Sequence, residues 1–168
     1  MPKSDQGVQT KRYQIIPRVL IFVFDGDRVL LIKGAPTKRL WANQYNGIGG
    51  HIERGEDALS AARRELQEEA GLEERLWLCG TVLIDASEDV GIGIYVFRGE
   101  FSGQHEPVAS HEGELHWVAI ENLNQVPLVE DLPVLLMKVY EMTLGRAPFS
   151  ARYFYDENDR LQIRFVSY

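Results

Sequence analysis

The chain has 168 residues, of which 45% are hydrophobic and 26% charged, and this suits one compact domain with a sizeable core. Its formal net charge of -7 argues against binding to nucleic acid polymers and anionic membranes, although a cation can still bridge it to an anionic small molecule. The single cysteine, Cys79, allows no intrachain disulfide, so we expect a reducing compartment, the cytoplasm. We also expect no obligate protein partner.

Residues 1–12 are polar, lack a signal-peptide core and are predicted to form a loose tail, followed by a single domain over 13–168. Apolar runs between turn residues predict strands, and a helical apolar period predicts two helices. In chain order, the predicted elements are strands 12–24 and 28–33, a loop 34–45, a helix 58–70, strands 75–86, 90–101 and 114–120, a helix in 128–145, and a closing hairpin in 151–168. This order predicts an α+β fold with a mixed central sheet sandwiched by helices.

The first predicted helix has clear boundaries and a cluster of acidic residues. Asp57 is expected to cap its N-terminus, and Gly71 to end it. The stripe predicted to be buried consists of Leu59, Ala62, Leu66 and Ala70. At the edge of this stripe lie the carboxylates of Glu65, Glu68 and Glu69. Two neighbouring residues, Ala58 and Ala61, are expected to leave open space over them.

Such a cluster is most often a solvated charged face. A solvated face would more often mix lysine with glutamate, and it would not need the glycine-rich approach over residues 46–51. Carboxylates at this spacing also suit Mg²⁺ or Mn²⁺, and a backbone carbonyl at Gly49 can complete the metal shell. Arg64 can hold a neighbouring glutamate in place. Divalent metal beside a spare carboxylate base suits attack of water on a phosphoanhydride.

The stretch also resembles the Nudix box, G-x5-E-x7-R-E-U-x-E-E-x-G-U, in which U is aliphatic. Every specified position is filled, by Gly50, Glu56, Arg64, Glu65, Leu66, Glu68, Glu69, Gly71 and Leu72. The resemblance implies an α/β/α sandwich and Mg²⁺-dependent hydrolysis of a nucleoside diphosphate linked to another moiety. It implies that Glu65, Glu68 and Glu69 are the metal ligands and the base, with Arg64 and Glu56 as their catalytic orienting partners.

The flanks of the box point to a substrate class. The stretch "WANQYNGIGGH" resembles the approach W-N-G-x-G-G-K of MutT-type oxidised-purine triphosphatases, and Asn46 matches the asparagine that reads the base. An amide offers both a donor and an acceptor to a purine edge, although Asn46 can equally be a turn residue before Gly47. The chain departs from that pattern by the insertion "ANQY" after Trp41 and by His51 in place of lysine.

Further residues match the same subgroup less closely. Glu112 stands five residues before Trp117, where those enzymes often place another metal carboxylate, but it can also be a simple loop glutamate. Glu130 and Asp131 fall near the acidic positions that contact the base. Lys38 and Arg39 precede the box and can reach phosphate or merely solubilise a loop. The closing hairpin is expected to contribute structure.

The predicted function is Mg²⁺-dependent hydrolysis of a purine nucleoside triphosphate such as 8-oxo-dGTP to the monophosphate and pyrophosphate. ADP-ribose pyrophosphatases usually carry a proline about fifteen residues past the box, where this chain has Ser87. The signatures of NADH pyrophosphatases and dinucleoside polyphosphate hydrolases are absent as well. Two alternatives stay open, a pyrophosphatase for another nucleoside diphosphate derivative and a domain that senses a nucleotide without hydrolysing it.

Overall fold

A computed structural model describes residues 7, 11–37 and 41–166. The chain forms eight strands and two α-helices: β1 (Gln14–Asp25), β2 (Arg28–Gly34), β3 (Tyr45–Asn46), α1 (Ala58–Ala70), β4 (Leu76–Ile84), β5 (Val90–Glu100), β6 (Gly113–Ala119), α2 (Leu132–Tyr140), β7 (Phe149–Tyr155) and β8 (Leu161–Val166). A 3₁₀ helix, Ile120–Gln125, follows β6. Most of the predicted tail over residues 1–12 lies outside the described residues. Within the described residues, no helix combines the length and apolar character needed to cross a bilayer.

All eight strands join one mixed sheet in the order β3-β2-β1-β5-β4-β7-β8, with β6 paired to β2. The pairs β1–β5 and β4–β7 are parallel, and the others are antiparallel. β2 pairs with β6 along its whole length, with β1 only at residues 28–30 and with β3 at residues 32–33. On this side of β1, the residues before Val23 therefore pair with the glycine-rich segment, through bridges at Ile21–Ile48 and Arg18–His51.

Strand β1 divides its side chains between two cores, as the period of two in a strand requires. Val19, Ile21 and Val23 pack with the buried side of α1. Phe22 and Phe24, which alternate with them, pack in the second core with α2. The sheet is thus covered by one helix on each face, and the predicted α/β/α sandwich is confirmed.

Helix α1 has the predicted caps. The Asp57 carboxylate accepts hydrogen bonds from the backbone N–H groups of Leu59 and Ser60 at 2.9 and 3.0 Å, and Gly71 adopts the left-handed conformation with φ +65°. Ala62, Leu66 and Ala70 of the predicted stripe are buried, and Leu59 is half-buried. The expectation that Ala61 leaves open space is wrong, because this residue is fully buried against the core.

Helix α2 is shorter than predicted at both ends. Leu128 pairs with Tyr45 as an isolated bridge, which keeps the chain extended just before the helix. At the other end, the Arg98 guanidinium donates to the backbone carbonyls of Val139, Tyr140 and Met142 at 3.1, 2.6 and 2.8 Å. These long-range contacts satisfy carbonyls that a longer helix would have used itself. Pro133 lies in the first turn, where a helix tolerates proline.

The two predicted hairpins, β4–β5 and β7–β8, are present with boundaries shifted by at most two residues. The predicted loop over 34–45 ends earlier than expected, because Tyr45 and Asn46 form the short strand β3. Its register places Asn46 opposite Ile32 of β2. This pairing fixes the residue immediately before the glycine-rich approach to the box helix.

Candidate active site

Arg64 is the centre of the charged cluster on α1. Its Nε and Nη2 donate to the two carboxylate oxygens of Glu56 at 2.7 and 3.0 Å, which is a bidentate ion pair. Its Nη1 donates to Glu65 at 2.8 Å and to Glu68 at 3.1 Å, and Nη2 also reaches the backbone carbonyl of His51 at 3.0 Å. One guanidinium therefore holds three carboxylates and the glycine-rich segment together, and the predicted contact between Arg64 and Glu56 is present.

These contacts shift the pKa values of Glu56 and Arg64. The hydrogen bond from Arg64, followed by the one from the backbone N–H of Glu53, lowers the pKa of the Glu56 carboxyl. The same carboxylates raise the pKa of Arg64. Mutual attraction offsets the repulsion between like charges that the helical spacing of Glu65 and Glu68 would otherwise cause.

The glycine-rich segment lies directly against two of the carboxylates. The backbone N–H of Gly49 donates to Glu69 at 3.0 Å, and the Glu69 side chain is the one charged side chain among the described residues that is buried. A Cβ at Gly50 would stand only 2.4 Å from Oε1 of Glu65. At Gly49, where φ is +157°, a Cβ would stand 2.2 Å from the carbonyl oxygen of Val19. Both glycines are therefore required for the close approach.

Among the residues that the structure describes, no three acidic, histidine or cysteine side chains are arranged as the ligands of a metal ion. Arg64 draws Glu65 and Glu68 toward its own charge, while Gly49 holds Glu69. The donor set still fits a hard divalent cation, because it supplies carboxylate oxygens from one helix beside a segment with no side chain at Gly50. The residues that would hold such an ion are Glu65, Glu68 and Glu69, with the backbone of Gly49.

A cavity of about 740 Å³ opens beside the same glycine-rich segment. Its wall includes Gly49, Gly50 and His51, and it also brings together Asn46, Glu130 and Asp131. Oδ1 of Asn46 accepts a hydrogen bond from the N–H of Gly47 at 2.8 Å, so the side chain takes part in a turn and its NH₂ group remains available as a donor. The two readings of Asn46, turn residue and cavity residue, are therefore compatible.

Asp131 stands at the start of α2, but its side chain caps no N–H of that helix. Burial raises the pKa of this carboxyl, and the neighbouring charge of Glu130 raises it further. Tyr153 of β7 is almost fully buried in the same wall, and burial together with the charge of Asp131 raises the pKa of its hydroxyl. Burial therefore disfavours the charged form of both groups at this end of the cavity.

The other predicted site residues have separate positions. Glu112 precedes β6, where its backbone carbonyl accepts from the N–H of Ala35 at 3.4 Å and its carboxylate lies 3.3 Å from His111. Lys38 and Arg39 lie outside the described residues. Because of the insertion that follows Trp41, the sequence pattern did not place this residue. In the structure, Trp41 lines the cavity.

Sequence reasoning missed much of the cavity wall. The residues concerned are Arg18, Leu20, Ile84, Ile92, Ile94, Tyr153, Tyr155 and Leu161. Three of them belong to the closing hairpin, so its expected role as structure alone is incomplete. The only local sequence signal for any of these residues was the position of Arg18, a charged residue within the apolar run of β1.

Comparison with known proteins gives the family. The sequence model of the NUDIX domain matches residues 15–139. The chain belongs to the NUDIX family. As a Nudix hydrolase it acts on nucleotide substrates, and Nudix hydrolases generally use divalent metal ions. The family prediction made from the box is therefore confirmed.

Two relatives carry the name "Oxidized purine nucleoside triphosphate hydrolase". The protein from Danio rerio is 33% identical over 106 residues, covering 62% of this Nudix chain and 66% of its own length. The protein from Mus musculus is 30% identical over 134 residues, covering 71% and 78%. The alignment thus spans about two thirds of the Danio rerio protein. A MutT protein from Bacillus halodurans shares the fold, with a TM-score of 0.73 at 20% identity over 90% of this chain and 97% of that one.

Proposed function

We propose that this Nudix hydrolase converts an oxidised purine nucleoside triphosphate, of which 8-oxo-dGTP is the type, to the monophosphate and pyrophosphate, and that it does so with Mg²⁺ in the cytoplasm. One observation carries the proposal. A single cavity joins Asn46, Glu130 and Asp131 to the glycine-rich segment against which the α1 carboxylates lie. The names of the two vertebrate relatives support the same substrate class.

The reaction breaks the phosphoanhydride bond between the α- and β-phosphates. Water forms the new bond to phosphorus, pyrophosphate leaves, and one proton of the water passes to a carboxylate. Bound Mg²⁺ would neutralise the phosphate charge and make water more acidic. Glu65 is our first candidate for the base, because it faces the backbone at Gly50, and Glu112 is the second. Arg64 fixes the direction of Glu65 through the 2.8 Å hydrogen bond, and Glu56 fixes Arg64 in turn.

Oxidation at C8 turns the N7 acceptor of a purine into an N–H donor and adds a carbonyl oxygen. An ionised Asp131 can accept from that N–H, and the NH₂ group of Asn46 can donate to a carbonyl. A base that leaves these buried groups unpaired is penalised. Such pairing would favour the oxidised edge over the plain one.

The test is kcat/KM for 8-oxo-dGTP and dGTP, measured with wild type and with Asn46→Ala. We expect Asn46→Ala to lower the value for 8-oxo-dGTP about tenfold more than for dGTP, as loss of one hydrogen bond to a buried edge predicts. Equal losses on both nucleotides would mean that Asn46 only shapes the turn with Gly47. A wild-type preference for ADP-ribose over every triphosphate would overturn the substrate class and leave the Nudix chemistry in place.

A further inference from the structure

Two buried polar atoms in the cavity wall have no hydrogen-bond partner among the described residues, Nε of Arg18 and the hydroxyl of Tyr153. Buried donors in folded proteins are nearly always paired with protein, water or ligand. Both residues line one cavity, so a ligand bound there would lie next to these two side chains. Tyr153 lies beside Asp131, at the polar end already described. Arg18 belongs to neither the box nor the closing hairpin.

Arg18 differs from Arg64 in having no anionic partner among the described residues. None of the ion pairs in the described part of the chain includes it, whereas Arg64 holds three carboxylates. Along the described wall of the cavity it is the only lysine or arginine. In a chain of net charge -7, an unpaired guanidinium inside the nucleotide cavity marks a place for an anion.

The strand register decides which end of the cavity Arg18 occupies. The segment from Asn46 to His51 runs antiparallel to β1, with Ile48 opposite Ile21 and His51 opposite Arg18. A Cβ on Gly47 would meet Phe22, so Asn46 lies toward the Phe22 end. Phe22 and Arg18 are four residues apart on one strand face, which corresponds to about 13 Å.

The Arg18 end is the end nearest the α1 carboxylates. The Val19 N–H donates to the Gly50 carbonyl at 2.9 Å, and the His51 carbonyl accepts from Arg64. A nucleotide whose base lies at Asn46 and whose phosphates extend toward the α1 carboxylates would pass Arg18 along this cavity wall. We infer that Arg18 binds the α-phosphate of the nucleotide, a phosphate that stays on the nucleoside in both substrate and product. This inference rests on the proposed function, because that proposal assigns the Asn46 end of the cavity to the base.

The experiment measures binding by calorimetry in EDTA, so that no divalent cation contributes to phosphate affinity. The probes are 8-oxo-dGMP, dGMP and the two matching nucleosides, titrated into wild type and Arg18→Gln. The matched control is Arg146→Gln, which removes the same charge from an exposed arginine that does not line the cavity and whose side chain donates to the carbonyl of Glu141 at 3.4 Å. Arg18→Lys keeps the charge and loses the planar fork.

We expect Arg18→Gln to weaken monophosphate binding about 10- to 100-fold, as loss of a charge-assisted hydrogen bond predicts, and to leave nucleoside binding unchanged. Arg18→Lys should recover part of the monophosphate affinity, and Arg146→Gln should match wild type. In steady-state assays, Arg18→Gln should raise KM more than it lowers kcat, because the contact exists before and during the reaction.

Equal losses for nucleoside and monophosphate would place Arg18 at the base or sugar and overturn the inference. An unchanged monophosphate affinity would also overturn it, and so would wild type that binds monophosphate no better than nucleoside. The proposed substrate is judged separately, by the wild-type preference for 8-oxo-dGMP over dGMP. That preference can fail while the phosphate contact holds, so the two failures are distinguishable.

Discussion

The chain uses carboxylates in two regions, and their surroundings differ. Around α1, Glu56, Glu65 and Glu68 share the guanidinium of Arg64, and the pKa of Glu56 is lowered. At the start of α2, Asp131 lies in the cavity wall beside Glu130, and burial raises its pKa. The first environment keeps negative charge available for a cation. The second makes the charge state of one carboxyl sensitive to what binds next to it.

This difference indicates two kinds of recognition in one active site. A carboxylate that pairs with an arginine can pair with a metal ion instead, with no change in its own protonation. A carboxyl in an apolar wall instead discriminates by hydrogen bonding, since an unpaired group there is costly. Four measurements test this difference between the two regions.

The largest effect is expected at the metal-binding face of α1. Glu68→Gln and Glu69→Gln should each lower kcat by about 10³-fold with the fold intact, because each removes a negative oxygen donor. Glu73→Gln, just beyond α1 and exposed, is the control and should keep its activity. Excess EDTA should abolish turnover, and Mg²⁺ should restore it. Full activity in EDTA would contradict the whole assignment of this region.

The second measurement separates the two candidates for the base. Glu65→Gln should lower kcat by about 10²–10⁴-fold at saturating Mg²⁺, the usual contribution of a general base. Glu112→Gln is the paired variant, since that carboxylate belongs to the loop before β6. A larger loss in Glu112→Gln would transfer the role to the loop. Wild-type rates in both variants would show that neither is the base.

The third measurement tests the space that the glycine provides for Glu65. In Gly50→Ala the new Cβ would stand 2.4 Å from the carboxylate oxygen, so Glu65 must move, and we expect kcat to fall about 10²-fold. The control is Gly55→Ala, where the Cβ has open space but φ is +98°. That variant should lose thermal stability without a comparable loss of kcat. Equal kcat losses would mean that backbone strain, and not the position of Glu65, determines the effect.

The smallest effect is expected at Asp131 and depends on pH. Because the proposed contact needs an ionised Asp131 as the acceptor, the ratio of kcat/KM for 8-oxo-dGTP over dGTP should fall as pH drops through the raised pKa. The ratio cancels the titration of the α1 carboxylates, which act on both nucleotides. Asp131→Asn should lower the ratio about tenfold and remove its pH dependence. Glu130→Gln is the matched variant. If the pH dependence disappears in Glu130→Gln and persists in Asp131→Asn, Glu130 is the acceptor and Asp131 is not.

Much of the first region could be predicted because its determinants are local. The Asp57 cap, the Gly71 stop and the spacing of Glu65, Glu68 and Glu69 depend on helix geometry alone, which a few neighbouring residues fix. The open space over the carboxylates was assigned to the wrong residue. It comes from Gly50, which lies on another segment, while Ala61 is part of the core.

The second region could be predicted only in part. Asn46, Glu130 and Asp131 were found by resemblance, but their meeting in one cavity depends on contacts distant in sequence, such as Tyr45 with Leu128. The same contact shortens α2, and the carbonyl contacts of Arg98 end it. Apolar periodicity carries no information on such contacts, so helix 128–145 was predicted too long.

The amino-acid order alone therefore determined the family, the two-sided sandwich and the acidic face of α1, since each follows from short-range spacing or from alternation along a strand. The tertiary structure decided which groups have partners. Arg64 and Arg18 are the same residue type, yet Arg64 holds three carboxylates, whereas Arg18 lines the cavity and its buried Nε has no hydrogen-bond partner. Pairing depends on distances across the sheet, and these are set by strand register and helix packing, which no local pattern encodes.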